Sequence, residues 1–199
     1  PSNAVAWYLM GKSNSALSIS QEAVFSYRKA IEIRADYFEA LEALGLEYFT
    51  MKQFSDAAAT LEKAAQLQPG NAELLYNVSH AWFKADKYEN SISTGLKAVE
   101  CDPRHADAYF IIGKSHTAMS NFKDALTSFK KSADINPQNA ETWDEIGNSY
   151  YAQAQYTDAI NAFHKAIEVD PSHKGTWHSI GLAHKLQEQF ELAVEAFSN

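Results

Sequence analysis

Residues 140–173 read AETWDEIGNSYYAQAQYTDAINAFHKAIEVDPSH. Two apolar-periodic stretches lie inside this segment and meet near 153–156. The first carries Trp143, Ile146, Gly147 and Tyr150; the second carries Ala159, Phe163 and Ala166, and Pro171 closes the unit. At about 100° per residue, the four residues of the first stretch share one helical face. Moving the frame by 34 residues in either direction returns the same residue types. A fixed period of that length marks a stacked array of helix pairs.

The frames run 4–37 (repeat 1), 38–71 (repeat 2), 72–105 (repeat 3), 106–139 (repeat 4), 140–173 (repeat 5) and 174–199 (repeat 6, incomplete), with no insertion or deletion between them. The eighth position is small: Gly11, Gly45, Ser79, Gly113, Gly147 and Gly181. The twentieth is Ala23, Ala57, Ser91, Ala125, Ala159 and Ala193. The seventeenth is aromatic in Phe54, Tyr88, Phe122, Tyr156 and Phe190, with Ser20 departing. A closing proline stands at Pro69, Pro103, Pro137 and Pro171, with Ala35 departing. In strict register, these residues resemble the tetratricopeptide repeat family over nearly the whole chain. The resemblance implies an all-α fold, a right-handed α-solenoid of helix-turn-helix repeats. It also implies that the first helices line a concave groove that holds a peptide or a partner helix.

Bulk properties narrow the function. The 46% hydrophobic content suffices for a core, built as a ribbon between neighbouring repeats. With 25 acids against 17 bases the net charge is -8, which argues against a phosphate-backbone ligand and so against nucleic acid. The point matters because a related helical repeat class reads RNA one base per repeat and needs a basic surface. The lone Cys101 excludes an internal disulfide framework, and its place at a helix end among apolar residues predicts a packed thiol. No stretch approaches the ~18 uninterrupted apolar residues of a membrane span, so no membrane insertion is predicted and a cytoplasmic setting is expected.

Residues 1–3 read as the end of a preceding repeat, or as a cloning scar. Leu182, Leu186, Val194 and Phe197 are expected near an uncapped end, so the chain reads as a piece of a longer array. Asn3, Asn71 and Asn139 are placed to cap the helices that follow them. Repeat 1 is expected to be the loosest, since Asn14 and Ser20 replace aromatics. Repeat 3 deviates most: Ser79, Ser91 and Gly95 replace Gly, Ala and a large residue, while Trp82 replaces the usual Tyr. Two readings stand there. Trp82 fills the space Gly95 leaves, or the repeat holds a widened pocket.

Nothing in the sequence carries catalysis. There is no phosphate loop after a strand and no His-Glu-x-x-His. His178 and His184 are six residues apart and fall on different helical faces, while His116 and His184 share the core-edge position of Tyr48 and Tyr150. No catalytic, metal or cofactor site is predicted.

The face left free by packing comprises frame positions 2, 5, 6, 9, 12 and 13. Position 5 gives the row Tyr8, Glu42, Tyr76, Phe110, Asp144 and His178. Position 12 gives Ser15, Phe49, Phe83, Thr117, Tyr151 and Lys185. Rings on such a wall are good anchors for apolar side chains, though the family also uses aromatics there for local packing. Charges are sorted. Acids Glu39, Glu73, Asp107 and Glu141 at position 2 line one lip, and nearer the other lie Lys12, His80 and Lys114 at position 9, in a row with Leu46, Asn148 and Leu182, and Lys84 at position 13. Helix-end preferences alone would produce that sorting.

Some family members clamp a C-terminal carboxylate with Lys at position 5 and Asn at 9, Asn at 6 of the next repeat, then Lys at 2 and Arg at 6. Asn77 matches the middle element, but Glu42, Leu46, Asp107 and Ile111 do not match the rest. An asparagine ladder at position 6 is also absent, the row being Leu9, Ala43, Asn77, Ile111, Glu145 and Ser179. The expectation is a non-catalytic scaffold that binds a protein or peptide with apolar anchors and some basic character. Two further readings are self-assembly into homo-oligomers through the repeat ends, and a substrate-recruiting module of a larger enzyme.

Overall fold

A computed structural model describes residues 3–172 and 174–199, with Lys174 described for its backbone alone. Among the described residues every regular element is an α-helix: α1 (Ala4–Ala16), α2 (Ser20–Ile33), α3 (Phe38–Thr50), α4 (Phe54–Leu67), α5 (Ala72–Lys84), α6 (Tyr88–Cys101), α7 (Ala106–Ala118), α8 (Phe122–Ile135), α9 (Ala140–Ala152), α10 (Tyr156–Val169), α11 (Lys174–Leu186) and α12 (Phe190–Ser198). Odd-numbered helices open each frame and even-numbered helices close it. The chain forms two compact units, Pro1–Pro103 with α1–α6 and Arg104–Asn199 with α7–α12. Within each unit, consecutive helices pack on one another in chain order.

Each eighth-position glycine lies directly under a side chain of its paired helix. A β-carbon on Gly45 would stand 2.5 Å from the Leu61 side chain, and one on Gly113 would stand 2.5 Å from the Phe129 ring. Phe163 covers Gly147, Phe197 covers Gly181 and Tyr27 covers Gly11 in the same way. A large side chain at position 24 therefore rests on a bare helix backbone at position 8. Phe129 and Phe163 are 0% exposed, so neither has room to yield.

Repeat 3 inverts this arrangement. Ser79 supplies the side chain at position 8, and Gly95 removes the large one at position 24; both are buried. The Ser79 hydroxyl donates to the Ser91 carbonyl at 2.7 Å and lies 3.2 Å from the Ser91 hydroxyl. A buried hydroxyl pair thus replaces a ring at this crossing. The Trp82 indole N–H donates to Glu62 of α4 at 2.8 Å. Of positions 8 and 24 in this repeat, Ser79 gains a side chain and Gly95 lacks one.

The turn inside every repeat is held by a left-handed residue that is never glycine. Ser18, Lys52, Asp86, Ser120, Ala154 and Glu188 have φ of 59°, 60°, 57°, 60°, 58° and 60°. Each costs about 1 kcal/mol with a β-carbon present. Each also closes a helix end: Gln53 N–H bonds back to the Tyr48 carbonyl at 2.9 Å, and Lys52 N–H to that of Phe49 at 2.9 Å.

Helix starts follow the sequence. Asn3 accepts from Val5 N–H at 2.9 Å, Asn71 from Leu74 N–H at 3.0 Å, and Asn139 from Thr142 N–H at 3.2 Å. His105 takes the same role with its ring, Nδ1 accepting from Ala108 N–H at 3.3 Å. Tyr37 occupies the cap slot without capping; it is buried and stacks under Arg34, whose guanidinium lies 3.4 Å from the ring centroid. Cys101 overturns the prediction of a packed thiol: it is exposed, with Sγ 3.7 Å from the Pro69 carbonyl. Its frame position lies on the outer edge of the second helix, where Ile33 and Leu67 are exposed too.

Candidate functional site

The residues predicted to face a partner lie on the first helices, and the two units treat them differently. In unit 1 they form a run of rings. Phe49 of α3 meets His80 of α5 at 4.9 Å between centroids, and His80 stacks on Tyr76 of the same helix at 5.9 Å. Phe49 also meets Phe54 at 5.2 Å, and Phe83 meets Tyr88 at 5.9 Å. Phe49, Tyr76, Asn77, His80 and Phe83 all keep part of their surface in solvent. Burial holds the His80 imidazolium below its ordinary pKa, and the Lys84 ammonium adds to the effect.

Tyr8 packs against Tyr37 and Tyr27, with centroids 5.2 and 6.1 Å away, and the exposed Lys12 ammonium stands 5.9 Å from its ring. Glu42, half-buried beside Glu39, has a pKa above the ordinary carboxylate value, from burial first and the Glu39 charge second. Both carboxylates also push the Tyr8 phenol up, after burial. Leu9 and Leu46 are exposed on the same helices, so acids and apolar side chains sit side by side here.

In unit 2 the corresponding face is tied up in polar pairs. Lys114 of α7 binds Glu145 of α9 at 2.7 Å and Glu141 at 3.8 Å, with Nζ 5.7 Å from the Phe110 ring. Asp144 accepts from Thr176 at 2.6 Å and from Asn148 at 3.1 Å. Phe110 leans on Phe129 with centroids 5.6 Å apart, and Tyr151 packs beside Ile180 and Phe163. The rings of this unit therefore pack locally and present only part of their surface.

Sequence reading missed the partners that tie one first helix to the next. Lys114 to Glu145, Thr176 to Asp144, and Ser15 to the buried Glu47 at 2.7 Å each join residues 31 or 32 apart. Such pairs run diagonally between frames, so rows read straight along the array pass them by. The signal is a donor and an acceptor at an offset slightly short of the period.

Thr142 shows the rule by exception. It is 0% exposed, as Thr176 is, but the residue standing where Asp144 would be is Phe110, and the Thr142 hydroxyl has no partner. His184 bonds Gln189 at 2.7 Å across its turn, whereas His116 buries an unpartnered Nδ1. Among the described residues no three His, Cys, Asp or Glu side chains come together as a metal site, and no helix is long and apolar enough to cross a membrane.

Solved structures with the same fold include MamA (24% identity, TM-score 0.81, covering 84% of this chain and 92% of that one). YrrB, described as a tetratricopeptide repeat protein with an unusual peptide-binding site, matches at 21% identity and TM-score 0.78, over 89% of this chain and 92% of its own. PilF of Pseudomonas aeruginosa matches at 19% identity and TM-score 0.75, over 97% and 88%. These identities show the fold. No curated protein matches the sequence. Tetratricopeptide repeat profiles match residues 4–37, 42–104, 106–139 and 140–173. The helix pairs recur in the same frame, crossing at position 8, and on these grounds the chain belongs to the tetratricopeptide repeat family.

Proposed function

We propose that the protein is a non-catalytic scaffold whose first-helix faces hold a segment of a partner protein. The observation that carries this reading is the run Phe49–His80–Tyr76 in unit 1, three rings in successive contact that each keep part of their surface in solvent. Rigid rings of this kind anchor apolar side chains at little entropic cost. The neighbouring Glu39 and Glu42 favour a partner with a basic group: burial first and the Glu39 charge second raise the Glu42 pKa, and a cation beside Glu42 would offset both, as Arg34 at 3.8 Å already does for Glu39. YrrB, with a peptide-binding site on the same fold, lends support. In unit 2, Phe110 and Tyr151 are the anchors and Asp144 the acidic group.

The test is capture of partners from a lysate on the immobilised chain, beside Tyr76→Ala combined with Phe110→Ala. The double variant loses the captured protein while its helical circular dichroism is unchanged. Equal capture by both would overturn the assignment to this face.

A further inference from the structure

The even-numbered helices leave grooves of their own. Between neighbouring even-numbered helices runs a groove floored by the odd-numbered helix behind them, and three such grooves compare directly. The one between α8 and α10 holds about 190 Å³. Its cations fold down onto rings of the floor: Lys165 Nζ lies 4.3 Å from the Trp143 ring centroid, and Lys130 Nζ 5.0 Å from that of Tyr150. The one between α4 and α6 holds about 360 Å³, flanked by the Trp82–Glu62 hydrogen bond.

The groove between α2 and α4 holds about 750 Å³, within the range of binding pockets. At its floor Leu41 stands where Trp143 stands in unit 2, so Lys63, the counterpart of Lys165, has no ring beneath it. Leu41 and Leu44 are buried at the base, and the apolar surface open to a ligand is that of the half-buried Val24, Ile31, Tyr48 and Met51.

The charges on the rim are unequally committed. Glu32 is paired with Lys29 at 2.6 Å. Asp56 lies in the first turn of α4, where the helix amides offset its charge. Arg28 and Lys63, one on each wall, are exposed, and among the described residues neither forms an ion pair or a ring contact, although Glu32 and Asp56 line the same groove. In a chain of net charge -8, this groove offers two uncommitted cations above an apolar floor.

We propose that the α2/α4 groove docks an acidic amphipathic helix of a partner protein. Its apolar side chains would lie on Val24, Ile31, Tyr48 and Met51, above the buried Leu41 and Leu44, with its carboxylates against Arg28 and Lys63. The site is separate from the first-helix face, so the two hypotheses fail independently.

The chain has 3 methionines, Met10, Met51 and Met119, and of these Met51 alone lines the groove. The experiment uses the whole chain labelled with ¹³C at the methionine methyls. The probe is a synthetic Leu/Glu amphipathic peptide of about 14 residues, long enough for three to four helical turns. A Leu/Lys peptide of the same pattern is the control. The Leu/Glu peptide shifts the Met51 resonance and leaves Met10 and Met119 in place, and the Leu/Lys peptide shifts none.

Leu41→Trp refills the floor with the residue its frame position carries as Trp7, Trp143 and Trp177, and weakens binding about tenfold or more. Lys63→Glu, on the exposed rim, weakens it similarly and serves if Leu41→Trp fails to fold. Tyr76→Ala with Phe110→Ala leaves the Met51 response intact. A Met51 signal that does not move, that moves equally with the Leu/Lys peptide, or that survives Lys63→Glu unchanged overturns the proposal.

Discussion

In unit 2, α7 and α9 cross their partner helices on Gly113 under Phe129 and Gly147 under Phe163. In unit 1, α5 crosses α6 with Ser79 facing a helix that carries Gly95. The first arrangement stacks a ring on a bare backbone; the second shares a buried hydroxyl pair. The faces left over differ in the same direction. Unit 2 binds its first-helix face together with Lys114–Glu145 and Thr176–Asp144, and its second-helix groove is covered by lysines on rings. Unit 1 leaves rings, exposed leucines and an open groove. Side chains join repeats in both units, through Ser15–Glu47 and Trp82–Glu62 in unit 1 as well, but unit 1 also leaves several available to a ligand.

The comparison is broken most forcefully at the inverted crossing. Gly95→Phe puts a ring against the Ser79 side chain and lowers stability by about 1–3 kcal/mol, the usual cost of overpacking. Adding Ser79→Gly restores the arrangement of the other repeats and recovers most of that loss. Urea denaturation of the two variants measures it. A double variant no better than the single one would show that repeat 3 is not a simple exchange of positions 8 and 24.

A second pair of substitutions sharpens the contrast inside unit 2. Thr176→Val removes the donor to Asp144 and costs about 1–2 kcal/mol. Thr142→Val removes a buried hydroxyl that has no partner, and raises stability by up to about 1 kcal/mol. Opposite signs by urea denaturation support the diagonal pairing rule, and equal losses contradict it.

The smallest effect concerns pH. The folded chain holds His80 below its ordinary value of 6.5, between Phe49 and Tyr76 and near Lys84. The unfolded chain therefore takes up the proton first. This part of the stability of unit 1 is fully present above pH 6.5 and is lost as pH falls through the folded value. The protection factors of α5 amides, corrected for the intrinsic exchange rate at each pH, fall on acidification, and His80→Phe flattens that dependence.

The helix pairs and their glycine crossings were legible because each rests on one residue type recurring at one spacing. The Asn caps were legible for the same reason. The left-handed turn residues were not, since Ser18, Lys52, Asp86, Ser120, Ala154 and Glu188 share no side-chain property. That conformation is imposed by helices that must reverse within three residues and close their last carbonyls. The cap supplied by His105 was hidden because the ring accepts only as one tautomer at one orientation. Of the partner face, the rows of rings could be read, but not which of their neighbours were already engaged. Lys114 looks free along its row and is spent on Glu145, and Leu41 looks like an ordinary core residue until its groove is set beside that of Trp143.

The central claim is that the two helices of each repeat are joined through a close crossing at position 8, and that the faces this packing does not use stay free. Gly113→Ala tests it by the sign of one number. In an ordinary helix this change stabilises by about 1 kcal/mol. Here the new methyl meets the buried Phe129 ring, so a loss of about 1–3 kcal/mol is expected by urea denaturation. The same change at Gly70, where a β-carbon meets nothing within 4 Å, leaves the midpoint in place. A Gly113→Ala protein as stable as the parent, or more so, would contradict the account.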